Sequence, residues 1–341
     1  MSRKPYSPAI LALLASTLLA APAAAQSQTS VLGTFFTEYT MPTDGRAASF
    51  NVTRAFLTGK ARFNDIWSGA ITYNAAPLFP FSGLAPATPA AEPHNAILQS
   101  AYLQATGLLP DLSLQMGMVS NPWFDFETAF WGYRMLGFQY YPVFHTGLIP
   151  PYDLGLKATG KLGPLGYVAQ VDNGAGFRAT ENNGRKAYTA GVSVDPVAGL
   201  TLAAFGYRGD NPTLVQFDRY GAFAGYRGTG FRVAAEAIRL ETQALGGAPF
   251  SGQILSAYSV LGLPLPLLPS PELIARVDVQ DGNLFAAPVA GQAESVQGLV
   301  GFSVKPAPGV TLVLDDQITR ETIGGAATVR NTLALHTQLA F

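Results

Sequence analysis

Along most of the chain, apolar and polar side chains alternate at every second position, in runs of about ten residues that end at Gly, Pro, Asn or Asp. A period of two belongs to a strand whose two faces meet different surroundings. The clearest run is Asn331 to Phe341. Leu333, Leu335, Leu339 and Phe341 take one face, with Thr337 among them, and Thr332, Ala334, His336 and Gln338 take the other. Ser49 to Phe63 sets Arg54, Thr58, Lys60 and Arg62 opposite Ala55, Leu57, Ala61 and Phe63. Ile66 to Asn74 puts Trp67, Ile71 and Tyr73 on one side, and Glu272, Ile274, Arg276 and Asp278 lie opposite Leu273, Ala275, Val277 and Val279. Strands of this kind need water on one side and lipid or an apolar core on the other. One run, Leu214 to Arg227, can be faced either way.

The breaks between runs differ in length. Seven are short: Asn64-Asp65, Gly107 to Asp111, Gly163 to Gly166, Asp195 to Gly199, Arg227 to Gly230, Pro264 to Pro271 and Pro306 to Gly309. Eight longer ones fall near Pro42–Ala47, Ala75–Asn95, Val119–Pro151, Asn173–Lys186, Gly209–Pro212, Glu241–Gly252, Asp281–Ala293 and Glu321–Arg330. Fifteen connections join sixteen strands and put both termini on the short-turn side. The predicted fold is all-β: a transmembrane antiparallel up-and-down β-barrel of about sixteen strands, with short periplasmic turns and longer external loops. Tyr and Trp near many strand ends, such as Tyr39, Trp67, Tyr73 and Tyr226, fit interfacial girdles as a set. The connection 119–151 carries Trp123, Phe124, Asp125, Glu127, Trp131 and Arg134. A loop this long is expected to have a purpose. The reading is that it folds into the lumen as a constriction built on Asp125, Glu127 and Arg134; the alternative packs it over the barrel mouth.

Composition agrees. Charged residues are 13% of the chain, well below the usual soluble share, and glycine is plentiful at 36. Ser2-Arg3-Lys4, an apolar run from Ala9 to Ala21 and Ala23-Ala24-Ala25 form the three parts of a secretory signal peptide. The expected division is a signal peptide at 1–25 and an outer-membrane barrel at 26–341. The bacterial outer membrane is then the expected location, with its lipid as surroundings. The mature chain carries 19 basic and 22 acidic residues, so nothing suggests a nucleic-acid partner. The absence of cysteine excludes thiolate metal sites and cysteine nucleophiles.

Sixteen strands enclose an aqueous channel, so a porin passing ions and small hydrophilic solutes by passive diffusion is the expected function. Strand parity assigns Arg54, Lys60, Arg62, Lys157, Lys161, Arg232 and Arg276 to the lumen on the basic side. The acidic side is Glu38, Asp153, Asp172, Glu236, Glu272, Asp278 and Asp315. Seven against seven predicts weak ion selectivity, although local segregation of charge still orients solutes. Charged and small interior positions favour water over a packed plug; a non-conducting barrel with a structural or adhesive role is the alternative. His94, His145 and His336 lie in no nucleophile or metal motif. No catalytic residue, metal ligand or cofactor is assigned.

Two resemblances add to this. The final strand, with Leu339 and a terminal Phe341, resembles the C-terminal assembly signal of bacterial outer-membrane proteins, which implies handling by the barrel assembly machinery. The stretches RAFLTGKARFND at 54–65, SAYLQ at 100–104, QMGMVSNP at 115–122 and ELIARVD at 272–278 resemble the phosphate-selective porin (OprO/OprP-like) superfamily. That resemblance implies a sixteen-stranded barrel, a homotrimer and an inward-folded third loop. Phosphate selectivity does not carry over, because that family uses dense arginine and lysine ladders and this chain has five lysines after the signal.

Overall fold

Strands with period-two alternation leave unpaired edges unless the sheet closes, and here it does. The computed structural model describes residues 28–76, 95–137, 149–177, 181, 184–211, 215–244, 250–281, 294–323 and 325–341. The segment read as a signal peptide and the loop residues 138–148 lie outside them.

Sixteen strands follow one another. The first eight are β1 (Gln28–Pro42), β2 (Ser49–Arg62), β3 (Trp67–Ala76), β4 (Asn95–Thr106), β5 (Leu112–Ser120), β6 (Tyr152–Leu162), β7 (Leu165–Asp172) and β8 (Ala187–Val197). The rest are β9 (Leu200–Asn211), β10 (Val215–Gly228), β11 (Phe231–Ala244), β12 (Phe250–Gly262), β13 (Glu272–Asp281), β14 (Glu294–Ala307), β15 (Val310–Ile323) and β16 (Ala326–Ala340). Each pairs antiparallel with its neighbours in sequence, and β1 pairs with β16 to close the ring. All seven expected short turns are present, four of them two residues long: 163–164, 198–199, 229–230 and 308–309.

The other rim departs from expectation. A long loop was expected over 321–330, yet β15 runs to Ile323 and β16 starts at Ala326. β-branched Thr328 and Val329 favour strand there, and Gly325, at φ 83°, supplies the tight turn. In the same way β11 and β12 extend into the expected 241–252 loop.

Outward positions carry Leu57, Leu154, Leu156, Val300, Leu314 and Leu335, all exposed, as a lipid-facing wall requires. The faces of β2, β13 and β16 follow the alternation read from sequence. The run that could be faced either way settles with Phe223 inward and Tyr220 and Tyr226 outward. Its ambiguity came from inward glycines. A Cβ on Gly221 would meet the ring of Phe205, and one on Gly225 the ring of Phe130.

The seam rests on one close approach. Gly33 and Phe341 exchange backbone hydrogen bonds (N···O 2.8 and 3.0 Å), and the Phe341 ring stacks on Phe35 at 5.9 Å.

Candidate functional site: the barrel interior

The connection between β5 and β6 contains a helix, α1 (Pro122–Trp131), and a 3₁₀ turn at Arg134–Leu136. Local chemistry starts and stops α1. The Asn121 side chain accepts from the Trp123 amide at 2.9 Å, Pro122 occupies the first turn, and Gly132 closes the end at φ 76°. Sequence reasoning assigned this loop no helix, although its Asn-Pro start and Gly stop were there to be read.

The helix lies inside the barrel, against inward side chains of β9 to β13. Trp123 sits between Phe126 and Phe205, with ring centroids 5.0 and 4.2 Å away, and its indole N–H donates to Glu236 at 2.5 Å. Phe130 packs edge-on against Phe223 at 4.8 Å, and Trp131 against Tyr258 at 4.8 Å. Two arginines hold the C-terminal carbonyls: Arg227 donates to Ala129 O at 2.7 Å and Arg232 to Trp131 O at 2.9 Å. Cations there complement the helix dipole. Near its start, Lys157 donates to Asp125 (2.9 Å), Ser120 Oγ (3.0 Å) and Ser120 O (3.1 Å).

Beyond α1 the loop crosses to the opposite wall. Tyr133 donates to Glu272. The Arg134 guanidinium lies 4.8 Å from the centre of the Phe56 ring on β2 and 5.0 Å from that of Phe124. Met135 and Leu136 are buried, and the 3₁₀ turn packs on β16. One apolar cluster therefore runs from Phe36 and Phe56 through Trp131 and Leu136 to Ile254 and Ile274. A packed cluster of this size inside the ring was not expected from the sequence, whose interior positions read as charged and small.

Burial sorts the fourteen expected lumen charges. Five of the seven acids (Asp153, Asp172, Glu236, Asp278 and Asp315) are buried, but only two of the seven bases, Lys157 and Arg276. Arg276 is spent on Asp278 through two short hydrogen bonds, Nε–Oδ2 and Nη2–Oδ1 at 2.8 Å each, beneath the Trp131 and Tyr258 rings. Lys60, Arg62 and Lys161 face the interior and are exposed, while Arg54 and Arg232 are half-buried. Among the inward bases that the parity count missed, Arg227 and Lys305 stand near a short turn, and Arg219 is buried toward the other rim. Glu272, half-buried, accepts from Lys305 at 2.8 Å, and Glu38 lies 3.6 Å from His336. At the short-turn mouth, the acid facing the interior beside Glu272 is Asp195, held by Thr201 at 2.6 Å. In the turns, Asp65 pairs with Arg62 at 2.9 Å and Asp111 stands at φ 56°.

Of the histidines, His94 and His145 lie outside the described residues. His336 is buried on the inner wall, 3.1 Å from Asp315. Among the described residues, no group of three side chains is placed to hold a metal ion. Leu339 and Phe341 point outward at the short-turn rim, 43% and 73% exposed.

Two loop groups have displaced protonation. Burial, and then the neighbouring Glu236 carboxylate, hold the Glu127 carboxyl well above its usual range. Burial and the bond to Glu272 push the Tyr133 phenol up. Two neighbouring buried carboxyls hold their protons more tightly than either would alone.

No family model matches the chain, and no curated protein matches it. Solved structures do, at the level of fold. A loop-L8 deletion form of OmpT, an outer membrane protein of Vibrio cholerae, superposes with a TM-score of 0.66 at 12% identity, covering 93% of this chain and 100% of that one. OmpT in its trimer form gives 0.63 at 13% identity, covering 92% and 99%. An anion-selective porin from Comamonas acidovorans gives 0.64 at 9% identity, covering 93% and 100%. The chain shares the sixteen-stranded fold of bacterial outer-membrane porins.

Proposed function

We propose that the protein is an outer-membrane porin, a channel for passive diffusion of ions and small hydrophilic solutes, with the accessible charge at its short-turn mouth set to favour anions. The observation that carries this is a closed sixteen-stranded ring with a helical loop tied to its inner wall. Such a ring is wide enough for water, and the loop narrows it. The segment 1–25 serves as its export signal, Leu339 and Phe341 present the chain to the barrel assembly machinery, and the working form is a homotrimer in outer-membrane lipid. The porin neighbours, one of them in trimer form, support that assembly. No enzymatic activity is proposed.

Equal numbers of lumen acids and bases implied weak selectivity. Accessibility changes that expectation. Five of the acids are withdrawn from water, while Lys60, Arg62 and Lys161 remain in it. At the short-turn mouth Arg62 is offset by Asp65 and Lys305 by Glu272, which leaves Lys60, Lys161 and Arg227 against Asp195, a balance that attracts anions.

The rival reading, a non-conducting structural barrel, draws on the apolar cluster that spans the interior. Single-channel recording in a planar bilayer separates the two. Discrete conducting steps, with a reversal potential displaced toward anions under a salt gradient, are expected. A heat-modifiable, membrane-inserted protein that passes no current overturns the channel.

A further inference from the structure

Beneath α1, on its short-turn side, the interior wall is notched. Inward positions on β7 to β9 are small there, notably Gly166, Gly191 and Ala203, and they leave a cleft of about 260 Å³ between wall and helix. One side of the cleft is aromatic. Phe126, Trp123 and Phe205 form a ladder of near-parallel rings, each pair inclined by 26°. Trp123 and Phe205 are buried, so Phe126 is the rung left partly exposed. Thr159, Ser193 and Lys161 also line it and bring two hydroxyl groups and an ammonium group.

Among the described residues that line this cleft, the charges sum to one cation without a carboxylate partner. Asp125 also lines it, but its carboxylate accepts from Lys157 and from Ser120 Oγ at 2.9 and 2.6 Å. Lys157 spends its three protons on that contact and on Ser120. Lys161, two inward positions nearer the mouth, is exposed and lines the cleft.

We infer that this notch is a binding subsite for a monoanionic aromatic carboxylate, its ring laid against the Phe126 end of the ladder and its carboxylate on Lys161. An inorganic anion gains nothing from the rings, and a neutral aromatic gains nothing from the ammonium. A dianion finds one cation where it needs two. The inference rests on the channel reading for its purpose, to concentrate such a solute at the mouth, but its test needs no current.

Benzoate is the probe, titrated calorimetrically into the refolded full chain in detergent, with acetate and benzyl alcohol as half-ligands. Benzoate is expected to bind about tenfold or more tightly than either. K161Q is expected to weaken benzoate about tenfold while leaving benzyl alcohol unchanged, and K161R to restore it. F126L is expected to weaken benzoate and leave acetate unchanged, its folding checked by mobility of the unheated protein on denaturing gels. Benzoate binding no tighter than acetate, or unaffected by K161Q, overturns the subsite. Conductance of the same preparation in potassium chloride is read separately. Current without benzoate preference removes the notch alone, whereas benzoate binding without current removes the channel and leaves the notch.

Discussion

Gly33 lacks a side chain where Phe341 needs the space: a Cβ there would stand 2.3 Å from the phenyl ring. Gly33→Val should therefore displace the Phe341 ring from Phe35 and weaken the seam between β1 and β16, and the measurement is a lower temperature for loss of the heat-modifiable band on denaturing gels. Gly59, with nothing near its absent Cβ, is the control, and Gly59→Ala should keep the band. Glu127 gives a prediction in pH. Its folded-state carboxyl titrates above the unfolded value of 4.5, so the folded state binds the extra proton. The stabilisation is full below pH 4.5 and is lost as pH rises through the higher folded value. Thermal unfolding of the wild type should weaken over that range, and Glu127→Gln should flatten this part of the profile. At this scale the sequence was half legible. Strand parity put Lys60, Arg276 and Asp278 on the inner face. Which of them met water depended on where a distant loop came to rest, and alternation carries no information about that.

The helix in that loop shows why one element escaped notice. Residues 122–131, PWFDFETAFW, are rich in aromatics that favour strands, and their apolar positions surround the helix because it is packed on more than one side. Only the caps distinguish it. Asn121→Ala should destabilise the docked loop by about 1 kcal/mol, the usual worth of such a cap. Trp123→Ala removes the ring between Phe126 and Phe205 together with the donor to Glu236. Its expected consequence is a wider, noisier single-channel current, and an unchanged current would mean that α1 does not set the constriction. The strands themselves were legible because a membrane wall imposes period two on every one of them. Their ends toward the longer loops were less so: β11, β15 and β16 run on into segments whose composition resembles loop.

For the molecule as a whole, the prediction concerns charge. Lys60 and Arg62 lie on one strand at the short-turn mouth, and Lys305 and Arg227 stand at the same rim on other strands. Replacing Lys60 and Arg62 together by Glu should move the reversal potential toward cations, and the shift should shrink at high salt as screening shortens the field. An unmoved potential would place selection at the loop instead. The ring topology has one more consequence. Fifteen of the sixteen pairings join strands consecutive along the chain, and only β1 with β16 spans its length. Every strand thus occupies an equivalent place, and the ring has no privileged beginning. A circular permutant cut at 229–230, with a short linker joining Phe341 to Gln28 at the same rim, would keep all sixteen pairings and turn the old seam into an ordinary hairpin.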